Sequence, residues 1–235
     1  MSKFIRPERT SSKWRRFEPD VLPMHVAEMD FEVADEIREL LSSMVQRSDL
    51  GYLGPVPEAA DAFGDFARRR WNWEIDPSGF RIATDVGVAA VELLRILTKP
   101  GDQVLVNFPV YSSFQGWLKE VGAKPFDVPL LRVGNSWRLD VPGIERAFQQ
   151  GVKVYLLCSP QNPVGLIHSE QDLREIAALA KKYDAVVISD EIHAPLAWEP
   201  FTPFLALVEV AEAGGITISS SAKAVNTAGL KAAFW

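Results

Sequence analysis

The 235 residues include one cysteine, Cys158, so no disulfide can close within the chain and the composition suits a reducing compartment. The surrounding "VYLLCS" reads as a buried strand, a poor setting for a catalytic thiol. Histidine is scarce too. His25, His168 and His193 are scattered, no two have the spacing of zinc ligands, and no metal site is expected. No glycine-rich GxGxxG turn occurs, which disfavours a nicotinamide site. Positive charge is in deficit, with 25 Lys and Arg against 31 Asp and Glu and a net charge of −6. Without a basic stripe to neutralise phosphates, nucleic acid is not an expected partner. The densest basic cluster, "RRRW" at 68–71, reads as a helix end, where cations complement the dipole. No apolar run approaches the length of a membrane span, and "MSKFIRPERTSSKWRRFEPD" has no apolar core of the secretory kind. A cytoplasmic protein without membrane partners is expected.

What is present is ordinary globular material: 47% hydrophobic and 24% charged, enough for one large α/β domain and a small appendage. After a polar arm, "ADEIRELLSSMVQR" (34–47) places Ile37, Leu40, Leu41 and Met44 at helical spacing. "PEAADAFGDFARRRW" (57–71) opens with proline as a second helix, and "VAAVELLRILTKPGD" (88–102) is a third, stopped by Pro-Gly. From there strands and helices alternate. Strands are expected at 103–108, 153–159, 185–191 and 215–221. Helices are expected near 112–122 and over 169–183, the latter capped by Ser169 with Ile176, Leu179 and Ala180 on its inner face. The later strands are hydrophobic almost throughout, as parallel strands covered on two faces must be. The pattern predicts a doubly wound, mostly parallel sheet, whose ligands gather at the carboxyl ends of the strands.

Four chemical groups sit at those ends: Tyr111 in "PVYSSF", Asn162 in "SPQNPVG", Asp190 with His193 in "ISDEIHAPL", and Lys223 in "SSSAKAVNTAGLK". An amine, a carboxylate, an amide and an aromatic ring are what pyridoxal 5′-phosphate needs. The amine joins its aldehyde, and the carboxylate keeps its pyridine nitrogen protonated so that the ring can accept electrons.

Those motifs resemble, in order, those of fold-type I pyridoxal-phosphate enzymes, the class I/II aminotransferase superfamily. "VLPMHVAEMDF" (21–31), "LGYLGP" (50–55) and "DEIHAPL" resemble its cystathionine β-lyase-like branch. The similarity runs over essentially the whole chain. It implies the α/β fold of pyridoxal-phosphate-dependent transferases, with residues 1–50 an arm and helix of a small domain and 51–235 the cofactor-binding large domain. The family continues into a C-terminal small domain that this sequence lacks.

Carried over residue by residue, Lys223 matches the Schiff-base lysine; the alternative is a solvated surface amine. Asp190 matches the partner of the pyridine nitrogen, against a helix N-cap, and the adjacent Glu191 reads as structural. Asn162 matches the amide at the ring hydroxyl, and "QNPVG" is also a turn. Tyr111 matches the stacking ring, against an edge-strand tyrosine packed in the core. His193 stands where many relatives have tyrosine, against a packing histidine. Val88 and Ala89, at a helix start in "TDVGVAAVELL", would offer free amides to the phosphate. Ser220 matches a hydroxyl and Lys231 a cation on that phosphate, although aminotransferases carry arginine at the latter place. Tyr52 matches a tyrosine reaching a neighbouring subunit's phosphate, against a plain turn aromatic. The resemblance implies a homodimer with a shared site and a small amino-acid substrate. The activity it implies is β-elimination of cystathionine or cysteine S-conjugates to pyruvate, ammonia and a thiol. Transamination shares every step up to the Cα carbanion and is the second reading; a non-catalytic remnant is the third. "KAAFW" is expected to begin another strand, with unpaired backbone and exposed Phe234 and Trp235.

Overall fold

Side chains along the central strands point alternately to two faces, and both faces are apolar. In the computed structural model, which describes residues 8–18 and 20–235, the polar opening gives a single helical turn, α1 (Ser12–Arg15), followed by α2 (Asp35–Gln46) and α3 (Pro57–Trp71). Then come β1 (Ile82–Ala83), α4 (Val86–Leu97), β2 (Gln103–Val106), α5 (Ser113–Glu120) and β3 (Lys124–Asp127). A hairpin, β4 (Leu131–Val133) and β5 (Ser136–Arg138), precedes α6 (Val141–Gln149) and β6 (Val154–Cys158). The chain continues through α7 (Glu170–Tyr183), β7 (Val186–Asp190), α8 (Val208–Ala213), β8 (Gly215–Ile218) and β9 (Ala233–Phe234). Residues 1–7 of the expected arm lie outside the described residues.

Five strands form one parallel sheet in the order β3-β2-β6-β7-β8. Leu105, Tyr155, Leu157 and Val187 face α6 and α7, where Ile144, Phe148, Ile176 and Ala180 complete one core. Val104, Val106, Leu156 and Ile188 face α4 and α5 and meet Leu94, Phe114 and Leu118. Each such side chain, fully buried, contributes roughly 1.5–3 kcal/mol. Helices on both faces of a parallel sheet are the doubly wound arrangement of pyridoxal-phosphate-dependent transferases. Ser169 caps α7 by accepting from Asp172 N at 3.1 Å, and Arg68, Arg69 and Arg70 occupy the last turn of α3. No helix among the described residues is long and apolar enough to cross a membrane.

Three differences from the sequence reading have local causes. α4 starts at Val86, two residues earlier than expected, because Asp85 caps it. α2 has the expected apolar stripe, yet none of its residues is buried, and Leu40 is 58% exposed. The closing segment is not left unpaired. β9 pairs antiparallel with β1, Phe234 exchanges two 2.9 Å backbone bonds with Ser219, and Trp235 N donates to Arg81 O at 2.9 Å. Phe234 is half-buried against Phe63 and Phe80, with ring centroids 4.5 and 5.1 Å away.

Candidate functional site

The carboxyl ends of β6, β7 and β8, with the loop after β2, open onto one cleft of about 850 Å³. Asp190 is the last residue of β7 and only 4% exposed; its carboxylate accepts from Ile192 N at 3.2 Å. Burial pushes its carboxyl up to about 7, against the opposing pull of that N–H and of the Lys223 charge. Lys223 lies in the turn after β8. It is half-buried rather than a free surface amine, and its Nζ donates to Ala27 O at 3.3 Å. Desolvation lowers its ammonium pKa, with Asp190 and Glu28 resisting. A lysine whose neutral form is favoured this way is a nucleophile in waiting.

Asn162, Tyr111, His193, Ser220 and Lys231 line the same cleft. Asn162 is held by its backbone N–H, which donates to Cys158 Sγ at 3.4 Å, leaving the amide free to face the cavity. Tyr111 lies in the loop between β2 and α5 and is 43% exposed, so it is not an edge-strand core residue. Its ring meets that of Trp117 edge-on, centroids 6.1 Å apart. His193 is half-buried, and burial, reinforced by the Lys223 charge, lowers its pKa, so it is mostly neutral near pH 7. Glu191 turns away into the protein, where Oε1 accepts from Phe204 N at 2.8 Å and Ser189 Oγ at 2.9 Å.

Two sequence expectations change. The amides of Val88 and Ala89 are not free. Val88 N donates to Asp85 Oδ1 at 2.8 Å and Ala89 N to Asp85 O at 3.0 Å, because Asp85 is the N-cap. The proton of Ser220 Oγ goes to Ala232 O, and the same oxygen accepts from Ala222 N at 3.0 Å, so the hydroxyl offers no proton to an anion as it stands. Tyr52, expected to serve a neighbouring subunit, is fully exposed and lines no part of this chain's own cleft.

Other residues enter to which the sequence reading gave no place in the site. Asp85 takes Lys231 Nζ on its second oxygen at 2.9 Å. Trp117 lies one turn along α5 from Phe114, their ring centroids 5.0 Å apart, a spacing that could have flagged it. Met24, His25, Val26 and Ala27 form one wall. That extended segment is pinned from outside: Lys13 Nζ donates to Glu28 O at 2.8 Å and pairs with Asp30 at 2.7 Å, and Asn226 bonds Met29 and Phe31.

Known proteins share this arrangement. The cystathionine beta-lyase of Corynebacterium glutamicum is 37% identical over 226 residues, which are 96% of this chain and 60% of that protein. Cystathionine beta-lyase PatB of Bacillus subtilis is 32% identical over 216 residues, 91% of this chain and 56% of the relative. Cystalysin from Treponema denticola, whose crystal structure contains a pyridoxal 5′-phosphate cofactor, superposes with a TM-score of 0.91 at 29% identity, over 99% of this chain and 62% of that one. The chain thus spans about three fifths of the length of the curated relatives it matches. Residues 19–235 match the model of the family described as aminotransferase class I and II. With helices on both faces of a parallel sheet and an amine and a buried acid at its strand ends, the chain belongs to the class I and II aminotransferase family.

Proposed function

We propose that the protein holds pyridoxal 5′-phosphate at Lys223 and uses it to break the carbon–sulfur bond of an amino acid with sulfur on Cβ, such as cystathionine or a cysteine S-conjugate. One observation carries the reading: Lys223 and Asp190 share a cleft in which burial drives both toward their neutral forms. The donor set fits the cofactor. Asp190 is a buried carboxylate whose one described side-chain hydrogen bond comes from Ile192 N, and a protonated pyridine nitrogen is the kind of partner it lacks. Gly87 gives bare backbone at the start of α4; a Cβ there would lie 3.0 Å from Trp117 Nε1 and 3.2 Å from Asp85 Oδ1. Asn162 would serve the ring hydroxyl, Tyr111 the ring face, His193 the ring edge and Lys231 the phosphate.

When bound, the cofactor supplies an electron sink for the pair left at the substrate's Cα after proton removal. Released from the cofactor's aldehyde when the substrate's amine takes its place, Lys223 would remove that proton as a general base, and the desolvation that lowers its pKa favours the neutral amine this needs. Asp190 would keep the pyridine nitrogen protonated, and its buried, low-dielectric setting would strengthen that pairing. Sulfur then leaves from Cβ, and hydrolysis gives pyruvate and ammonia. Elimination is favoured over transamination by the relatives, two of them named as cystathionine beta-lyases.

The fully exposed Tyr52 and the uncovered face of α2 support a homodimer in which Tyr52 reaches the second copy's phosphate. In this reading residues 1–50 serve as an arm and helix of a small domain and 51–235 as the cofactor-binding large domain. The buried Cys158 thiol, its pKa raised by desolvation, suits a reducing cytoplasm. Pyruvate released from cystathionine without any keto-acid acceptor supports the lyase. Product formed only when an acceptor is supplied overturns it in favour of transamination.

A further inference from the structure

Asp85 does two jobs with one carboxylate. Oδ1 caps α4 by accepting from Val88 N at 2.8 Å, and Oδ2 accepts from Lys231 Nζ at 2.9 Å across 146 positions of sequence. Partial burial pulls this carboxyl upward, but Lys231 and the Val88 and Gly87 amides outweigh it and hold it below the ordinary carboxylate range. Lys231 itself sits at φ 56°, a left-handed backbone that costs energy in a lysine and that the turn Ala228–Leu230 imposes. Asp85 and Lys231 line the cleft that holds Lys223 and Asp190.

The space before the first turn of α4 is bounded on both sides. A Cβ at Gly87 would stand 3.2 Å from Asp85 Oδ1 and 3.0 Å from Trp117 Nε1. Anything that approaches the bare Gly87 backbone therefore meets the Asp85 carboxylate on one side and the Trp117 indole on the other. The charges matter as much as the space. A helix N-terminus carries roughly half a positive charge, to which Lys231 adds one. Asp85 cancels about one of these, so an arriving anion meets little net attraction while Asp85 stays in place. Lysine offers a point charge rather than a fork that could hold two anions side by side.

We infer that Asp85 is an internal competitor for the phosphate subsite, occupying the α4 amides and the Lys231 ammonium until an incoming phosphate displaces it from both. This rests on the reading that this end of the cleft takes the cofactor's phosphate. Its consequence runs against the usual effect of deleting an ion pair. Removing the charge of Asp85 while keeping its capping ability strengthens phosphate binding.

The test uses the full chain freed of cofactor. Pyridoxal 5′-phosphate and pyridoxal, which lacks the phosphate, are titrated against the parent and Asp85→Asn, with binding read from cofactor absorbance. Asparagine caps a helix about as well as aspartate, so the change isolates charge. Asp85→Asn is expected to bind pyridoxal 5′-phosphate about tenfold more tightly, the partial exposure of the site cutting the full Coulomb effect, with pyridoxal unchanged. Inorganic phosphate, followed by phosphorus NMR, gains affinity in the same direction. Equal or weaker binding of both phosphates by Asp85→Asn, with helix content intact, overturns the inference. Should Asp85→Asn fail to fold, Asp85→Ser, also a neutral cap, gives the same comparison. If neither aldehyde forms a borohydride-reducible adduct with the parent, the cofactor reading fails, and the inorganic phosphate titration alone decides for or against Asp85.

Discussion

Asn226 grips both polar groups of Met29 from 197 positions away. Its Oδ1 accepts from Met29 N at 3.1 Å, and its Nδ2 donates to Met29 O at 3.1 Å and to Phe31 O at 3.1 Å. Asn226 has φ 59°, a conformation asparagine tolerates better than most residues. The segment it holds leads back to Ala27, whose carbonyl takes Lys223 Nζ, so one side chain ties the wall of the cleft to the loop of the lysine. Asn226→Gly keeps the backbone conformation and removes only the grip. We expect faster hydrogen exchange at Met29 N, by about tenfold or more, and little change in the sheet amides. Unchanged exchange at Met29 would show that Lys13 and Arg9, whose guanidinium also donates to Met29 O and Phe31 O, hold the segment unaided.

Asp190→Asn tests the acid. The asparagine fits the same space and can still accept from Ile192 N, so the fold should persist and cofactor binding weaken only in part. Exchange of the Cα proton should fall by about a hundredfold or more, because the pyridine nitrogen loses its anionic partner. Near-parental exchange, measured by loss of deuterium from a Cα-labelled amino acid, would assign that role to another group.

The paired acids at the end of β7 make stability pH-dependent in an unusual direction. Burial raises Asp190 to about 7 and Glu191 to about 8, and the bonds Glu191 accepts from Phe204 N and Ser189 Oγ do not offset it. Both folded values lie above those of the unfolded chain, so the native state keeps protons that the unfolded state has lost. The stability they contribute is complete below about pH 4 and disappears as pH rises through about 7 and 8. His168 and His193, which burial holds below their ordinary value, and Lys223, whose ammonium desolvation also disfavours, work the other way and add stability as pH rises, but the larger shifts of the two acids set the direction. The melting temperature of the cofactor-free protein should therefore drop by several degrees between about pH 6.5 and 8.5, and Glu191→Gln should flatten that slope. A parental melting temperature that is flat or rising over this interval would contradict the assignment.

Much of this was legible because parallel strands buried on both faces read as unbroken apolar runs. β6, β7 and β8 stood out in that way, and the residues at or just past their ends, Asn162, Asp190 and Lys223, were found by position as much as by motif. Edge strand β3 did not stand out. Its "KPFD" is half polar and contains Pro125, tolerable only because β3 has a single neighbour, β2. α6 was hidden by Pro142 and Gly143 in its first turn, although Asp140 caps it by accepting from Gly143 N at 3.1 Å. Asp85 carried a readable signal, an aspartate directly before an apolar helix, but the nearby glycine directed the reading to backbone amides instead. The wall at 24–27 had no periodicity to read. Its place is set by Lys13 and Asn226, and such long-range pins leave no local mark in sequence.

The most direct measurement is chemical capture. Protein incubated with pyridoxal 5′-phosphate is reduced with borohydride, digested and mapped by mass spectrometry. The account predicts one pyridoxyl-phosphate group, on the peptide containing Lys223, and its loss in Lys223→Ala. A label on Lys231, on scattered surface lysines or on no lysine would contradict it.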